Sequence, residues 1–552
     1  MRSILISGGP VVTLDPTRPS VEAVFVRDGR VAATGTVAEL SKLIAADDGV
    51  ERLDLGGRTL VPGFNDSHFH LISSGMMASM LDLTGMGKQE ILRTLQDAAS
   101  RRPAGDVLFA GNWDYSSCPD PSIADLDSVF PDRPVLLVQF SSHAAWVNTS
   151  FLTRLRLHGR NSSWEGGGVL TDASGEPTGI VEEPGNCPGV AAMFKRRFRD
   201  SSSVRAGLEA ALAKLAQAGI TSVQDNTWFP SHLRQIRKAR AAGALTARLS
   251  CWSPGFVPPL DTLFRHARFD ENWAELGPRK FFIDGAFSSH TAHLLEPYED
   301  TPETSGTGKP PEAIERFLLA ASRKGIQIAC HTIGDRAARS YADAGQRVAG
   351  KTGFQRFADL RHRIEHAQLV DARDIERFAT LGMVVSAQPH ASADVEKDRR
   401  LLGRARADAA YPIRSLLDAG VRVAFGSDFP SEPTYEPLYG MHLAVNRDSS
   451  EAITPEEALR AYTTGSAYAE FKEDEKGQIA PGFLADFAVL SGNPLQVAER
   501  SIKDIRVEMT IVDGRVVFKS GEETSAELPS DQSISLSERE QTQQGAGAHP
   551  QS

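Results

Sequence analysis

Cysteine is scarce: the 552 residues hold four (Cys118, Cys187, Cys251 and Cys330), far apart and with no CxxC pair. That excludes a disulfide framework as the basis of the fold. An excess of basic charge is also missing. Lys and Arg number 60 against 71 Asp and Glu, a formal charge of −11, which argues against a nucleic-acid-binding surface. No run reaches the roughly 18 consecutive apolar residues that a membrane span needs. The opening MRSILISGGPVVTLDP is a short strand-like run broken by Gly8, Gly9 and Pro10, unlike the apolar region of a signal peptide. With 41% hydrophobic and 24% charged residues, wholesale disorder is excluded as well. The expectation is a soluble, cytoplasmic globular protein of several domains, or one large barrel with additions.

What is present is a long alternation. Apolar β-rich runs such as VLLVQF (135–140), RKFFIDG (279–285), IQIACH (326–331) and VRVAFGSD (421–428) alternate with stretches of helical period, such as SVRAGLEAALAKLAQAG (203–219). Alternating strands and helices imply βα units around a parallel sheet. The fold class expected is α/β, a (β/α)8 barrel over residues 61–479 with insertions. Residues 1–60 and 480–518 are β-rich and turn-rich, with Asp28-Gly29 and Asp513-Gly514 as hairpin turns, and the expectation is one small β-sandwich domain built from both chain ends. Residues 519–552 lack aromatics and are dominated by Ser, Glu and Gln, the composition of a disordered tail.

Chemistry begins at LVPGFNDSHFHL. His68 and His70 follow a β-type run, and on a strand residues i and i+2 face one way, so both imidazoles can reach one ion. His331 closes the apolar run IQIACH, His366 closes RIEH, and Asp428 follows VAFGS. In (β/α)8 enzymes, catalytic residues gather at the C-terminal ends of strands. One such histidine would more often be a satisfied core residue; several strand ends plus HxH reverse that reading.

The set resembles the amidohydrolase superfamily of metal-dependent hydrolases, and more narrowly its YtcJ-like branch, which includes N-substituted formamide deformylases. The resemblance covers about residues 1–517, through LVPGFNDSHFHL, SSHAAWVN, GEPTGIVEE, KFFIDGAFSSHTAHLLEPY, CHTIGDRA, RIEHAQLV, FGSDFPSEPTYEPLYGM and KGQIAPGFLADFAVL in that order. It implies metal ligation by His68, His70, His331, His366 and Asp428. It also implies a bridging ligand from the middle of the chain, either Lys280 carrying a CO2-derived carbamate or the unmodified carboxylate of Glu183. His143, in SSHAAWVN, would contact substrate or its oxyanion. Where relatives commonly carry an arginine, this chain has His290, with His293 close by, so a changed substrate contact is expected there. Asp335 and Arg336, and Arg363 and Glu365, are expected to steady the histidines or to start helices.

Imidazole and carboxylate donors suit one or two divalent ions, Zn2+ first, with Mn2+ or Fe2+ compatible. A bound Zn2+ lowers the pKa of water from 15.7 to about 7, and Asp428 would move the proton to a leaving nitrogen. The function implied is hydrolysis of a C–N bond other than a peptide bond, in an amide, N-formyl or N-acyl substrate. A lactone, carbamate or ester hydrolase on the same site is the alternative, and a non-catalytic binding protein the third reading. The partner expected is a small-molecule substrate, with neither nucleic acid nor membrane; a homo-oligomer is compatible with all of this.

Overall fold

A computed structural model of the chain describes residues 2–45, 49–78, 80–101, 105–139, 144–158, 162–164, 167–227, 229–255 and 272–521. His143 and nearly all of the expected tail lie outside the described residues. The chain forms two compact units, Met1–Ser74 with Ala211–Thr524, and Gly75–Ala210.

The first unit holds the barrel. Its strands are β1 (Phe64–Phe69), β2 (Ile220–Asp225), β3 (Arg248–Pro254), β4 (Ala274–Phe282), β5 (Ile328–Thr332), β6 (Arg363–His366), β7 (Val384–Ala387) and β8 (Arg422–Phe425). They follow one another in a single eight-stranded sheet, and every adjacent pair is parallel. β5, β6 and β7 are almost wholly buried, as expected of strands covered on both faces. The helices between strands follow from their periodicity: in Pro311–Arg323, Ile314, Leu318 and Ala321 are buried, at intervals of four and three. The sheet is a nearly closed barrel. At the seam, the Asp428 amide donates to the carbonyl of His68 (2.7 Å), and the Ser427 amide donates to Asp66 Oδ1 (3.0 Å).

Two further sheets complete this unit, one of them built from both chain ends. One is four-stranded and N-terminal; the other has six strands, in which Thr59–Pro62 pairs antiparallel with Phe487–Leu490. Ile4, Val24 and Val26 share an apolar cluster with Phe487, Val489 and Ile511. Both expected hairpins form. Asp28 and Gly29 have φ of 50° and 76°, and Asp513 and Gly514 have 55° and 67°, the positive pair that a type I′ turn requires.

The second unit contains a seven-stranded mixed sheet. It includes Val135–Gln139, so the run VLLVQF belongs there and not to the barrel alternation in which the sequence pattern placed it. An apolar run signals a buried strand but carries no information about its partner. The unit boundary leaves no linker composition because helices Leu71–Ala78 and Ser201–Gln217 run through both junctions. Among the described residues, no helix is long and apolar enough to cross a membrane.

Candidate metal centre

The C-terminal ends of the barrel strands bring six of the expected side chains together. His68 lies on β1 and is 1% exposed, and His70 is the first residue beyond the strand. His68 Nδ1–H donates to Glu365 Oε2 at 2.6 Å, which leaves the Nε2 lone pair facing the mouth. That Nε2 stands 3.3 Å from Asp428 Oδ1 and 3.2 Å from Lys280 Nζ, while His70 Nε2 stands 3.0 Å from the same Asp428 oxygen. His68, His70 and Asp428 each present one donor atom, all within 4.8 Å of one another. The ring of His366 lies 4.9 Å from that of His68 and 4.3 Å from that of His331.

Each remaining histidine is oriented through one nitrogen. His366 Nδ1–H donates to Gln388 Oε1 (2.7 Å), and His331 Nε2–H donates to the carbonyl of Gly285 (3.0 Å). His366 Nε2 is buried and has no hydrogen-bond partner among the described residues. A buried polar atom without a partner costs about 1–3 kcal/mol. A cation at the mouth would remove that cost, so the residues present fit a bound metal. The backbone is consistent with a constrained site. His366 and Asp428 have φ of 78° and 55°, in the left-handed region that costs non-glycine residues about 1–3 kcal/mol. The Asp428 amide bond to His68 holds one of them in place.

Behind the histidines lies a chain of buried charge. Arg363 Nε–H donates to Glu365 Oε1 (2.7 Å), its Nη2 reaches the Ser67 carbonyl (2.8 Å), and its Nη1 bonds Gln224 Oε1. Arg363 and Glu365 are two apart on β6, so both point into the barrel. Asp335 and Arg336 act elsewhere. Asp335 opens helix Asp335–Thr352 and accepts from the Leu295 amide, and Arg336 bonds the Leu294 carbonyl, so together they tie down the loop after β4. Two partners, Asp66 and Gln388, are not singled out by the sequence. Asp284, which the sequence offers as an acid for an unmodified Lys280 to pair with, instead accepts from the amides of His293, Ile333 and Gly334 and so staples the loops after β4 and β5. Gln388 carried the same signal as Asp428, a polar residue closing the apolar run GMVVSA.

Comparison with known proteins agrees with this geometry. The family model described as "Amidohydrolase family" matches residues 51–518. The chain belongs to the amidohydrolase family. It is 31% identical to YtcJ of Bacillus subtilis over 537 residues, 93% of this chain and 98% of that one. It is 28% identical to the N-substituted formamide deformylase of Arthrobacter pascens, over 93% of this chain and 98% of that enzyme. Among solved structures, an uncharacterized metal-dependent hydrolase from Pyrococcus furiosus superposes with a TM-score of 0.75 and 27% identity, covering 90% of this chain and all of that one.

In this amidohydrolase, burial sets the protonation states at the mouth. It pushes the imidazoles of His68 and His331 down, to about 4 and about 3, with the positive charge of Lys280 adding to the effect. His366 is held well below the ordinary range by burial and by His331. These rings are neutral at pH 7, the state that binds metals. Burial lowers Lys280 to about 8, against the opposing pull of Glu365 and Asp428. For Glu365, burial raises the carboxyl, but Arg363 and His68 outweigh it and hold it at about 2. For Asp428, burial likewise raises the carboxyl, and His68, His70 and His366 hold it well below the carboxylate range.

The other sequence candidates are placed differently. Glu183 belongs to the second unit, has φ of 45°, and accepts the Trp164 indole N–H on its backbone carbonyl (2.9 Å). His290, in the loop after β4, bonds Asp300 Oδ1 at 2.9 Å and packs edge-on to Tyr298 at 4.8 Å. Cys330 is fully buried next to His331, and burial pushes its thiol far up.

Proposed function

We propose that the protein is a metal-dependent hydrolase that cleaves a C–N bond other than a peptide bond, in an amide, N-formyl or N-acyl compound. One observation carries the reading: the donor atoms of His68, His70 and Asp428 lie within 4.8 Å of one another, beside the ring of His366, whose buried Nε2 has no hydrogen-bond partner among the described residues. His68, His70, His331, His366 and Asp428 would hold one or two divalent ions, Zn2+ suiting these donors and Mn2+ or Fe2+ remaining compatible. When bound, such an ion supplies Lewis acidity and a water whose pKa falls to about 7.

The chain's own residues then divide the work. Glu365, kept ionised by Arg363, fixes the His68 tautomer with Nε2 toward the mouth. Asp428 accepts a proton from the attacking water and passes it to the leaving nitrogen as the C–N bond breaks, giving an acid and an amine. Lys280 is the bridging residue in this reading. Its Nζ lies beside His68 Nε2 and is poised near neutrality, where it can take up CO2, release a proton and present carbamate oxygens. Glu183 is the rival for that role, and His143 and His290 are proposed substrate contacts. The two further sheets of the first unit, one of them built from both chain ends, are proposed to form the β-sandwich that supports the barrel.

The test is metal analysis of the purified protein followed by a substrate panel of N-formyl amines, other amides, lactones, carbamates and carboxylic esters, with and without chelator. One or two ions per chain and chelator-sensitive amide cleavage are expected. Cleavage of esters or lactones alone would move the assignment to those bonds, and full activity without metal would end the reading.

A further inference from the structure

At the N-terminal end of the barrel, away from the histidines, β3, β4 and the turn before β5 line a cavity of about 740 Å3. In (β/α)8 barrels this rim generally serves stability, and part of it does so here. Glu470 bonds the Asn65 amide (2.6 Å) and the Lys476 ammonium (2.8 Å), and Lys472 reaches Glu275 (3.4 Å). The cavity wall itself is not saturated. Ser250 lines it and is only 2% exposed, and its buried Oγ has no hydrogen-bond partner among the described residues. The buried indole N–H of Trp252 next to it is also unpartnered.

Both side chains pack on Gly277, where a Cβ would stand 2.5 Å from Ser250 Oγ and 2.5 Å from Trp252 Cδ1. Only glycine allows that approach. The lining carries three cationic side chains, Arg279, Lys324 and Lys472; Lys472 pairs with Glu275 and Glu475, while Lys324 has no ion-pair partner among the described residues. Leu276 and Phe471, 40% and 46% exposed, complete the wall. Burial and the neighbouring Glu470 raise Glu275 to about 7, so near neutrality it can donate a hydrogen bond.

The wall therefore offers O–H donors and cations together with exposed apolar surface, a combination suited to an anion with an apolar body. An inorganic anion would leave Leu276 and Phe471 wet, and an organic cation would face Arg279 and Lys324. We propose that this cavity is a second ligand site, distinct from the metal centre, that binds a small organic carboxylate with an aryl or branched alkyl body. Its anionic end meets Arg279, Lys324 and the Ser250 hydroxyl, and its body lies on Leu276 and Phe471. The Trp252 ring, whose edge is shared with Gly277, also touches His68 at 5.3 Å, so the same indole contributes to both neighbourhoods.

The probes are benzoate for affinity and 4-iodobenzoate for location, both used on the metal-loaded full chain. Anomalous iodine density is expected against Leu276 and Phe471. In calorimetry, the Arg279→Gln, Lys324→Gln double variant should weaken benzoate binding about tenfold or more, and Ser250→Ala should weaken it less. Benzyl alcohol, which has the ring without the charge, should bind more weakly than benzoate. Iodine density only at the histidine mouth, or nowhere, overturns the proposal. So does benzoate affinity that is the same in the double variant as in the parent chain.

Discussion

His362 and His366 stand four residues apart, one just before β6 and the other at its end, and burial holds both imidazoles below the ordinary histidine range. Their hydrogen bonds differ. His362 Nδ1 accepts the Ile328 amide (3.1 Å) and its Nε2–H donates to Ser322 Oγ (3.0 Å), so both nitrogens are used. His366 uses one nitrogen and leaves the other buried and unpartnered. Arg248, at the start of β3, belongs with His362. Its guanidinium grips both oxygens of Asp486 (2.6 and 2.9 Å) and also bonds the Asn272 carbonyl. Burial alone therefore does not mark a functional residue. A buried polar group whose bonding capacity is filled holds the fold, and one left half-filled beside similar neighbours is prepared for a ligand.

The comparison breaks most visibly at the mouth. Replacing His68 and His70 with Ala should bring metal content and hydrolysis to background together while the barrel still folds, since neither ring closes a strand pair. Inductively coupled plasma analysis alongside circular dichroism reads both. A double variant that retains its full metal content would remove the HxH pair from the ligand set.

Asp428→Asn is the narrower probe, because Asn keeps the shape but cannot take a proton from water. A loss of about 10²–10⁴ in kcat is expected, with metal bound by the histidines retained and unfolding little changed. Near-normal turnover would pass the proton transfer to another group. An unfolded variant would make the Asp428 carboxylate a structural group only, through its contacts with His70 and His68 Nε2.

Much of this mouth was legible in the sequence because the signal is local. A polar residue closing an apolar run marks a strand's C-terminal end, and His331, His366 and Asp428 carry that mark, while His68 and His70 are marked by their i, i+2 spacing. The eight-stranded parallel sheet followed from the same runs. What stayed hidden depends on distant partners. Glu365 is expected from the sequence to steady a histidine, but the one it reaches, His68, lies 297 positions away, and nothing near either residue announces that pairing. The distinction between His362 and His366 is of the same kind, since it rests on what Ile328, Ser322 and Gln388 do. For Val135–Gln139, an apolar run alone could not say which sheet it joins.

At the saturated end, Asp486→Asn leaves the Arg248 guanidinium buried with half of its compensation. Removing one partner of a buried pair costs about 3–5 kcal/mol, and the remaining contacts of Arg248 with Asn272 and Asp513 place the expectation near the lower figure. Urea unfolding should show that loss, while kcat and metal content per folded chain stay at the parent values. A drop in kcat with unchanged stability would contradict the division between the two ends.

The smallest effect tests His362 itself. Its folded pKa is about 3, while the unfolded chain titrates near 6.5. Between those values the unfolded state binds a proton that the folded state does not, so stability rises with pH across the window. The contribution is complete above about 6.5 and is lost as the pH falls toward 3, at up to about 1.4 kcal/mol per pH unit for one proton. His362→Gln removes that proton from both states. The variant will be less stable near neutrality, having lost the bonds to Ile328 and Ser322, but its stability should decline more gently between pH 5.5 and 4.5. Urea-unfolding free energies of parent and variant at those two pH values give the comparison, and other titrating groups cancel in the difference. Parallel slopes would mean that His362 binds protons equally in both states, and burial would then not be what keeps it neutral.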